Sequence, residues 1–187
     1  MAIFGKDDAD GKDRKDPKAK DATPAETKGE QGEWFLPKDS REYLEKLFSD
    51  LKAPVRFEVF TQPGVNDPYN EAMTRFVTDL GKLSPQIQAA FFAIPSEQAA
   101  TRKVERSPTL LIAPDTYKIR YTGSPLGEEA RTFIEAILLT SVGQSGLSKV
   151  SKDLLAHLEE ERSVRVFVNP ECPYCPDQAT HAIKSAI

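Results

Sequence analysis

Two cysteines near the end of the chain are the residues whose type and spacing could carry out redox chemistry. They lie in the segment Cys172-Pro-Tyr-Cys175, between a strand-like run and a helical run. A Cys-x-x-Cys pair at a strand-to-helix turn supplies an attacking thiol and a second thiol that resolves the mixed disulfide. Unpaired N–H groups and the positive end of the helix dipole would lower the pKa of the first thiol. We therefore predict that Cys172 attacks and Cys175 resolves.

The same cysteines could instead supply half of a zinc site. His157 and His181 are the only histidines, so a set of two cysteines and two histidines could be assembled. Their order, H-x14-C-x2-C-x5-H, is not a usual zinc-finger spacing, and zinc therefore stands as an alternative to the redox interpretation. An inert buried pair of cysteines is a further alternative, but a turn flanked by prolines has no core-packing rationale.

Composition limits the partners and the compartment. The chain has 187 residues and a formal net charge of −4, which argues against nucleic acid as a general partner. No apolar run approaches the roughly 20 residues that a membrane-spanning helix needs, so no membrane partner is expected. The start of the chain is too short to be the apolar region of a signal peptide. We expect a cytoplasmic protein, in which a close pair of cysteines is more often catalytic or metal-binding than structural.

Apolar periodicity divides the chain into four parts. Residues 1–33 contain no large apolar residue after Phe4, and such a segment predicts a disordered charged tail, or else a tether for a partner. Residues 34–146 show the element order α-β-α-β-β-β-α, which indicates a sheet covered by helices. Its strands are predicted at 55–60, 89–94, 109–113 and 117–121, and its last helix ends before Gly143. Residues 147–162 form a linker with an amphipathic helix over 147–160, and residues 163–187 begin a second unit with a strand at 163–168.

The second unit repeats part of the first. The segment that begins at Val59 aligns without gaps, at an offset of 107 residues, onto the segment that contains the two cysteines. The positions of Cys172 and Cys175 hold Val65 and Pro68 in the first copy, which therefore has no thiol chemistry. The first copy continues for about 60 residues beyond the point at which the second stops, so we expect the chain to be a fragment.

Two segments resemble a known family. Phe167-Val-Asn-Pro-Glu-Cys-Pro-Tyr-Cys-Pro176 resembles the active-site segment of glutaredoxin-like protein disulfide oxidoreductases, which carry two thioredoxin folds in tandem. Tyr121-Thr-Gly-Ser-Pro-Leu-Gly-Glu-Glu129 resembles the end of the first fold in that group. It is also similar to the N-terminal domain of the flavoprotein subunit of alkyl hydroperoxide reductase. Ser107-Pro108 matches the position of the family's cis-proline. The resemblance covers about residues 35–187.

The resemblance implies an α/β protein with tandem thioredoxin-like folds. The first fold would be complete and free of cysteine, and the second would be truncated after its active-site helix. The implied activity is thiol-disulfide exchange at Cys172 and Cys175 that passes electrons between a flavin-dependent reductase and a protein disulfide. No cofactor or metal is expected in this chain, and FAD or NAD(P)H would be carried by a partner or a further C-terminal domain. The alternative is a non-enzymatic thioredoxin-like binding or scaffold domain with an inactive C-terminal segment.

Overall fold

The computed structural model describes residues 34–169 and 171–187. The predicted disordered tail, residues 1–33, lies outside the described residues. Within them the chain forms the strands β1 (Val55–Thr61), β2 (Ile87–Ala93), β3 (Thr109–Ile112) and β4 (Ile119–Thr122). It also forms the helices α1 (Lys38–Phe48), α2 (Asp67–Leu83), α3 (Glu97–Thr101), α4 (Glu129–Val142), α5 (Lys149–Ala156) and α6 (Cys175–Ala186).

Strand β1 runs through the interior of a four-stranded mixed sheet with the order β2-β1-β3-β4. It pairs in parallel with β2 and antiparallel with β3, and β3 pairs antiparallel with β4. Helix α2 provides the crossover that two parallel neighbours need. The α/β class that the sequence indicated is confirmed.

Side chains of β1 alternate between two cores, because successive residues of a strand point to opposite faces of the sheet. Val55, Phe57 and Val59 are buried in the larger core, which helices α1, α2 and α4 cover. The ring of Phe133 in α4 lies 5.7 Å from the ring of Phe57, centroid to centroid. Phe60 belongs to a smaller core on the opposite face, beneath α3. Helices therefore cover both faces of the sheet.

A charged side chain is buried on the face that α3 covers. Glu58 is 0% exposed, and its carboxylate accepts hydrogen bonds from Arg56 at 2.8 Å, Gln98 at 3.0 Å and Arg102 at 2.8 and 3.0 Å. Asp115 accepts one hydrogen bond of 2.6 Å from each arginine. Hydrogen bonds to Glu58 and Asp115 raise the pKa of Arg102, and the bond from Arg102 lowers the pKa of Asp115. Because a buried carboxylate is costly unless it is paired, this network ties α3 to the sheet.

Helix α4 connects the sheet to the C-terminal part of the chain. It ends at Val142, as the sequence predicted, and Gly143 follows in the left-handed conformation with φ of 69°. The Gly143 N–H donates to the Leu139 carbonyl oxygen at 2.9 Å, which satisfies one of the last carbonyl groups of the helix. No helix in the described part of the chain combines the length and the apolar character that crossing a membrane requires.

The predicted strand at 163–168 is wrong. This segment has no ladder partner among the described residues, and most of its side chains are exposed, with Val164 at 67% and Phe167 at 87%. Alternating apolar residues identify a chain that could form a strand, but they do not supply the neighbouring strand edge that a ladder needs.

Two helices also differ from the expectation. Helix α5 is shorter than the predicted 147–160, because the Ser148 side chain accepts a hydrogen bond from the Ser151 N–H at 3.1 Å and caps the helix there. His157 ends it. Helix α3 was not predicted, since its five residues are too few for a helical period to show.

Candidate redox site

Cys172 and Cys175 are joined by a disulfide bond, with their Cα atoms 5.5 Å apart. Both cysteines are half-buried, and the two residues between them are exposed, Tyr174 at 78%. The disulfide therefore lies at the surface of the described chain, in the turn directly before α6. The structure brings together the two residues that the sequence singled out.

Asn169 shapes this turn. Its carbonyl oxygen accepts a hydrogen bond from the Cys172 N–H at 2.9 Å, and its Oδ1 accepts one from the Glu171 N–H at 3.0 Å. An Asn side chain that bonds the backbone two residues later is a common way to hold a turn. The position of Cys172 is thus fixed by backbone hydrogen bonds on its N-terminal side.

Helix α6 begins three residues later than expected. The sequence placed Cys172 at the helix N-terminus and Cys175 one turn inside it, whereas Cys175 is the first helical residue. Residues 171–174 instead lie in the turn that precedes the helix. The lowered pKa of the Cys172 thiol stays a prediction.

Helix α6 is held against α4 by polar and charged contacts. The Thr132 hydroxyl donates to the Pro176 carbonyl oxygen at 3.3 Å, in the first turn of α6. The Thr180 hydroxyl donates to Oε2 of Glu135 at 3.1 Å, and Nζ of Lys184 lies 3.3 Å from Oε1 of the same carboxylate. These contacts fix Cys175, which starts the same helix.

Apolar burial supports the same packing. Ala179 and Ile183 are buried, and Ile183 joins the larger core of the sheet. Because the contacts of α6 with other elements are mainly with α4, the redox turn is attached to the fold mainly through α4. Helix α6 therefore positions the disulfide without the help of a strand on its N-terminal side.

The first copy of the repeat has the same turn without the thiols. The Val65 N–H donates to the Gln62 carbonyl oxygen at 3.2 Å, and these residues are the repeat equivalents of Cys172 and Asn169, which make the same bond. The two turns thus share a backbone hydrogen bond as well as an alignment. Only the second turn carries cysteines.

A cis-proline loop packs against the cysteine-free turn. The Ser107-Pro108 peptide bond is cis, as its position in the sequence suggested. The Ser107 hydroxyl accepts from the Gln62 N–H at 2.7 Å and donates to Oδ1 of Asn70 at 2.7 Å. The Ser107 carbonyl oxygen accepts from Nδ2 of Asn66 at 2.8 Å. The loop after β1 is therefore clamped against the cis-proline loop.

The sequence did not single out two buried polar groups beside this clamped loop. Glu129 is 5% exposed, and its Oε1 has no hydrogen-bond partner among the described residues. The Tyr121 hydroxyl is also buried without a partner there. Burial raises the pKa of Glu129, and burial together with the charges of Glu129 and Glu135 raises the pKa of Tyr121. Tyr121 is the first residue of the motif Tyr121–Glu129 and Glu129 is the last. The sequence therefore showed where they lie in the chain but not that they are buried.

The described residues contain no cluster of side chains that supports the zinc alternative. No three side chains of His, Cys, Asp or Glu lie close enough there to hold a metal ion. The ring of His157 is within hydrogen-bond distance of a backbone carbonyl oxygen, at 2.5 Å from that of Asp153.

Comparison with known proteins points to one fold. No family model matches the chain, and no curated protein matches it. Among solved structures, a protein disulfide oxidoreductase from Aeropyrum pernix K1 is similar at 27% identity and a TM-score of 0.74, covering 82% of this chain and 69% of that one. The alkylhydroperoxide reductase protein AhpF from Enterococcus faecalis is similar at 21% identity and a TM-score of 0.70, covering 81% and 74%. The fold is thioredoxin-like.

The thioredoxin-like neighbours are the two groups that the sequence motifs resemble, so that resemblance is confirmed. The NTD_N/C domain of the same Enterococcus protein matches by itself, at 22% identity and a TM-score of 0.70. The division into domains at 34–146, 147–162 and 163–187 stays a prediction, as does the tandem arrangement.

Proposed function

We propose that the protein is a thiol-disulfide oxidoreductase that acts through Cys172 and Cys175. The observation that carries the proposal is a surface disulfide in the turn before a helix, within a thioredoxin-like chain. The name of the Aeropyrum neighbour, a protein disulfide oxidoreductase, supports the same kind of activity. A pair that can close into a disulfide in this setting can also be opened by an external thiolate.

The exchange runs in two steps that balance atoms and electrons. In the reduced protein the Cys172 thiolate attacks one sulfur of a substrate disulfide, and the other substrate sulfur leaves as a thiolate. The Cys175 thiolate then attacks the Cys172 sulfur of the mixed disulfide. The second substrate thiolate leaves, and the Cys172–Cys175 bond forms. Two electrons pass from the cysteine pair to the substrate, and the reverse sequence oxidises a substrate dithiol.

Backbone anchoring supports this division of roles. Cys175 starts α6, and the next residue, Pro176, is buried and accepts the hydrogen bond from Thr132. Cys172 lies outside the helix between exposed residues. A substrate sulfur on another macromolecule meets fewer obstacles at Cys172 than at Cys175. We therefore assign the mixed disulfide to Cys172 and its resolution to Cys175.

A flavin-dependent reductase is the electron donor that we propose. The Enterococcus neighbour is named as an alkylhydroperoxide reductase protein, a likeness that supports a related partnership for this chain. The substrate would be a protein disulfide, and FAD and NAD(P)H would be bound by the partner or by a further domain. A cytoplasmic location fits this proposal and stays a prediction.

Trapping of the mixed disulfide tests the function. Cys175→Ser, reduced and mixed with oxidised glutathione, should retain one glutathione per chain on Cys172 by intact-mass and peptide analysis, because the resolving thiol is gone. Cys172→Ser is the matched control and should accumulate much less of the adduct. Wild-type protein should resolve its adduct and return to the internal disulfide. Adduct formation that is equal in both variants, or absent in both, would favour a non-enzymatic binding domain, an alternative consistent with the unpaired segment 163–168.

A further inference from the structure

A cleft lies beside the clamped, cysteine-free turn. Its volume is about 560 Å³, and its walls include Val65, Tyr69, cis-Pro108 and Glu129. Val168 also lines it, and Val168 is four residues before Cys172. Four residues of extended chain span at most about 14 Å, so the cleft and the disulfide are close enough for one polypeptide to reach both.

Glu129 is the unusual member of this lining. It is 5% exposed, and its Oε1 has no hydrogen-bond donor within the described residues. Buried polar atoms in folded proteins are nearly always hydrogen-bonded, and each exception calls for a cause. Desolvation raises the pKa of this carboxyl group, which is the response of a carboxylate that lacks a partner.

A second unpartnered atom lies close by. The Tyr121 hydroxyl is buried without a partner in the described chain, and Tyr121 is one of the residues that line a smaller cavity of about 160 Å³. Glu129 lines that cavity as well as the larger cleft. Glu129 is therefore the acceptor that a donor group entering from the cleft would meet.

The chemistry of the lining favours a lysine side chain. Lysine combines an apolar four-carbon stem with an ammonium group that has three donors and no acceptor. Val65, Tyr69 and Val168 are exposed at 40%, 55% and 43% and can cover the stem. The charged residues Glu105 and Arg106 also line the cleft, and their opposite charges leave Glu129 as its net negative group. A carboxylate gains more from a cation than from a neutral donor.

We propose that this cleft binds a lysine side chain of the polypeptide whose disulfide reacts at Cys172. The inference rests on the proposed function and adds a recognition element to it. The cysteine-free unit then selects the substrate, and the cysteine pair transfers the electrons. Selection requires that the lysine lie within a few residues of the reacting cysteine, because the cleft is near the redox turn.

The test uses two sets of synthetic peptides that differ only in lysine or norleucine, placed about two to six residues from a cysteine. The cysteine is activated as its mixed disulfide with 2-thiopyridine, and the reaction with reduced wild-type protein is followed by release of the chromophore. We expect lysine to raise the second-order rate constant about tenfold at its best position. Glu129→Gln should reduce that preference at least about threefold. Glu128→Gln, at the exposed neighbouring position, should leave it unchanged.

A binding assay separates this inference from the proposed function. The same peptides with serine in place of cysteine, labelled with a fluorophore, are titrated with the protein and followed by anisotropy. A dissociation constant that is lower for lysine than for norleucine, and that Glu129→Gln equalises, supports the cleft even if no thiol exchange occurs. Equal constants for the two peptides in wild-type protein would overturn it even if exchange is fast. Thermal unfolding of both variants checks that they are folded.

Discussion

The two copies of the repeat occupy different surroundings. In the first copy the strand lies inside the sheet, and hydrogen bonds with Ser107 clamp the loop that follows it. In the second copy the corresponding segment, 163–168, has no ladder partner among the described residues, and α6 is held through α4. The thiols are in the second copy. The difference shows that stability and chemistry are divided: the well-packed copy supplies the scaffold, and the more exposed copy supplies the reactive sulfur.

The two copies also differ in the residue at which the helix after the turn begins. Helix α2 begins at Asp67, after Asn66 in the left-handed conformation with φ of 59°. The repeat equivalent of Asn66 is Pro173, whose ring fixes φ near about −65°. The second turn cannot follow the path of the first, and α6 accordingly begins at Cys175, one position later in the repeat than α2. The proline thus distinguishes the backbone path of the two turns, and the cysteines distinguish their chemistry.

Removal of the buried carboxylate should produce the largest effect. Glu58→Ala should lower the free energy of unfolding by about 3–5 kcal/mol, because it leaves Arg102 and Arg56 without their buried partner. Arg165, at the equivalent position of the second copy, is exposed, and Arg165→Ala should change stability by less than about 0.5 kcal/mol. Urea unfolding of both variants measures the difference. Equal losses of unfolding free energy would show that the two equivalent positions are equally well packed.

Truncation of the core residue of α6 should have an intermediate effect on stability, and the effect should be confined to that helix. Ile183→Ala should cost about 2–3 kcal/mol, since the side chain is buried in the larger core. Hydrogen exchange should speed up first in α6, while β1 keeps its protection. Gln178→Ala, on the exposed side of the same helix, is the control. Loss of protection in β1 at the same rate as in α6 would contradict the separate attachment of the second copy.

Neutralisation of Glu129 should produce the smallest change, and it should depend on pH. Burial raises the pKa of Glu129 in the folded state, so its stabilising share is complete below the unfolded-state pKa and is lost as pH rises through the folded-state pKa. Glu129→Gln should therefore be more stable than wild type at neutral pH, by about 1 kcal/mol or about 2–4 °C in Tm. The advantage should vanish near about pH 4. A difference that is the same at both pH values would show that the carboxyl group is not desolvated.

The sequence predicted features that depend on neighbouring residues. The end of α4 at Gly143 and the position of the cysteine pair follow from a glycine and from a motif. Glu58 could not be predicted as buried, because its partners Gln98 and Arg102 are 40 and 44 residues away along the chain.

Two other features also depend on residues that are distant in the chain, namely the burial of Glu129 and the absence of a strand at 163–168. Glu128 and Glu129 are identical neighbours, and only packing leaves one exposed and buries the other. For the segment 163–168 the alternation of apolar residues was visible, but the availability of a strand edge was not. Local sequence patterns thus predicted where the redox turn lies. The packing around it could be seen only in the structure.

The reactivity of the two thiols tests the central claim most directly. The fully reduced protein is alkylated with iodoacetamide across a range of about pH 4 to 10, and peptide mass spectrometry gives the rate at each cysteine. We expect faster alkylation of Cys172 than of Cys175, with an apparent pKa for Cys172 below the free-thiol value of about 8.5. Equal rates at both cysteines, with apparent pKa values near about 8.5, would contradict it.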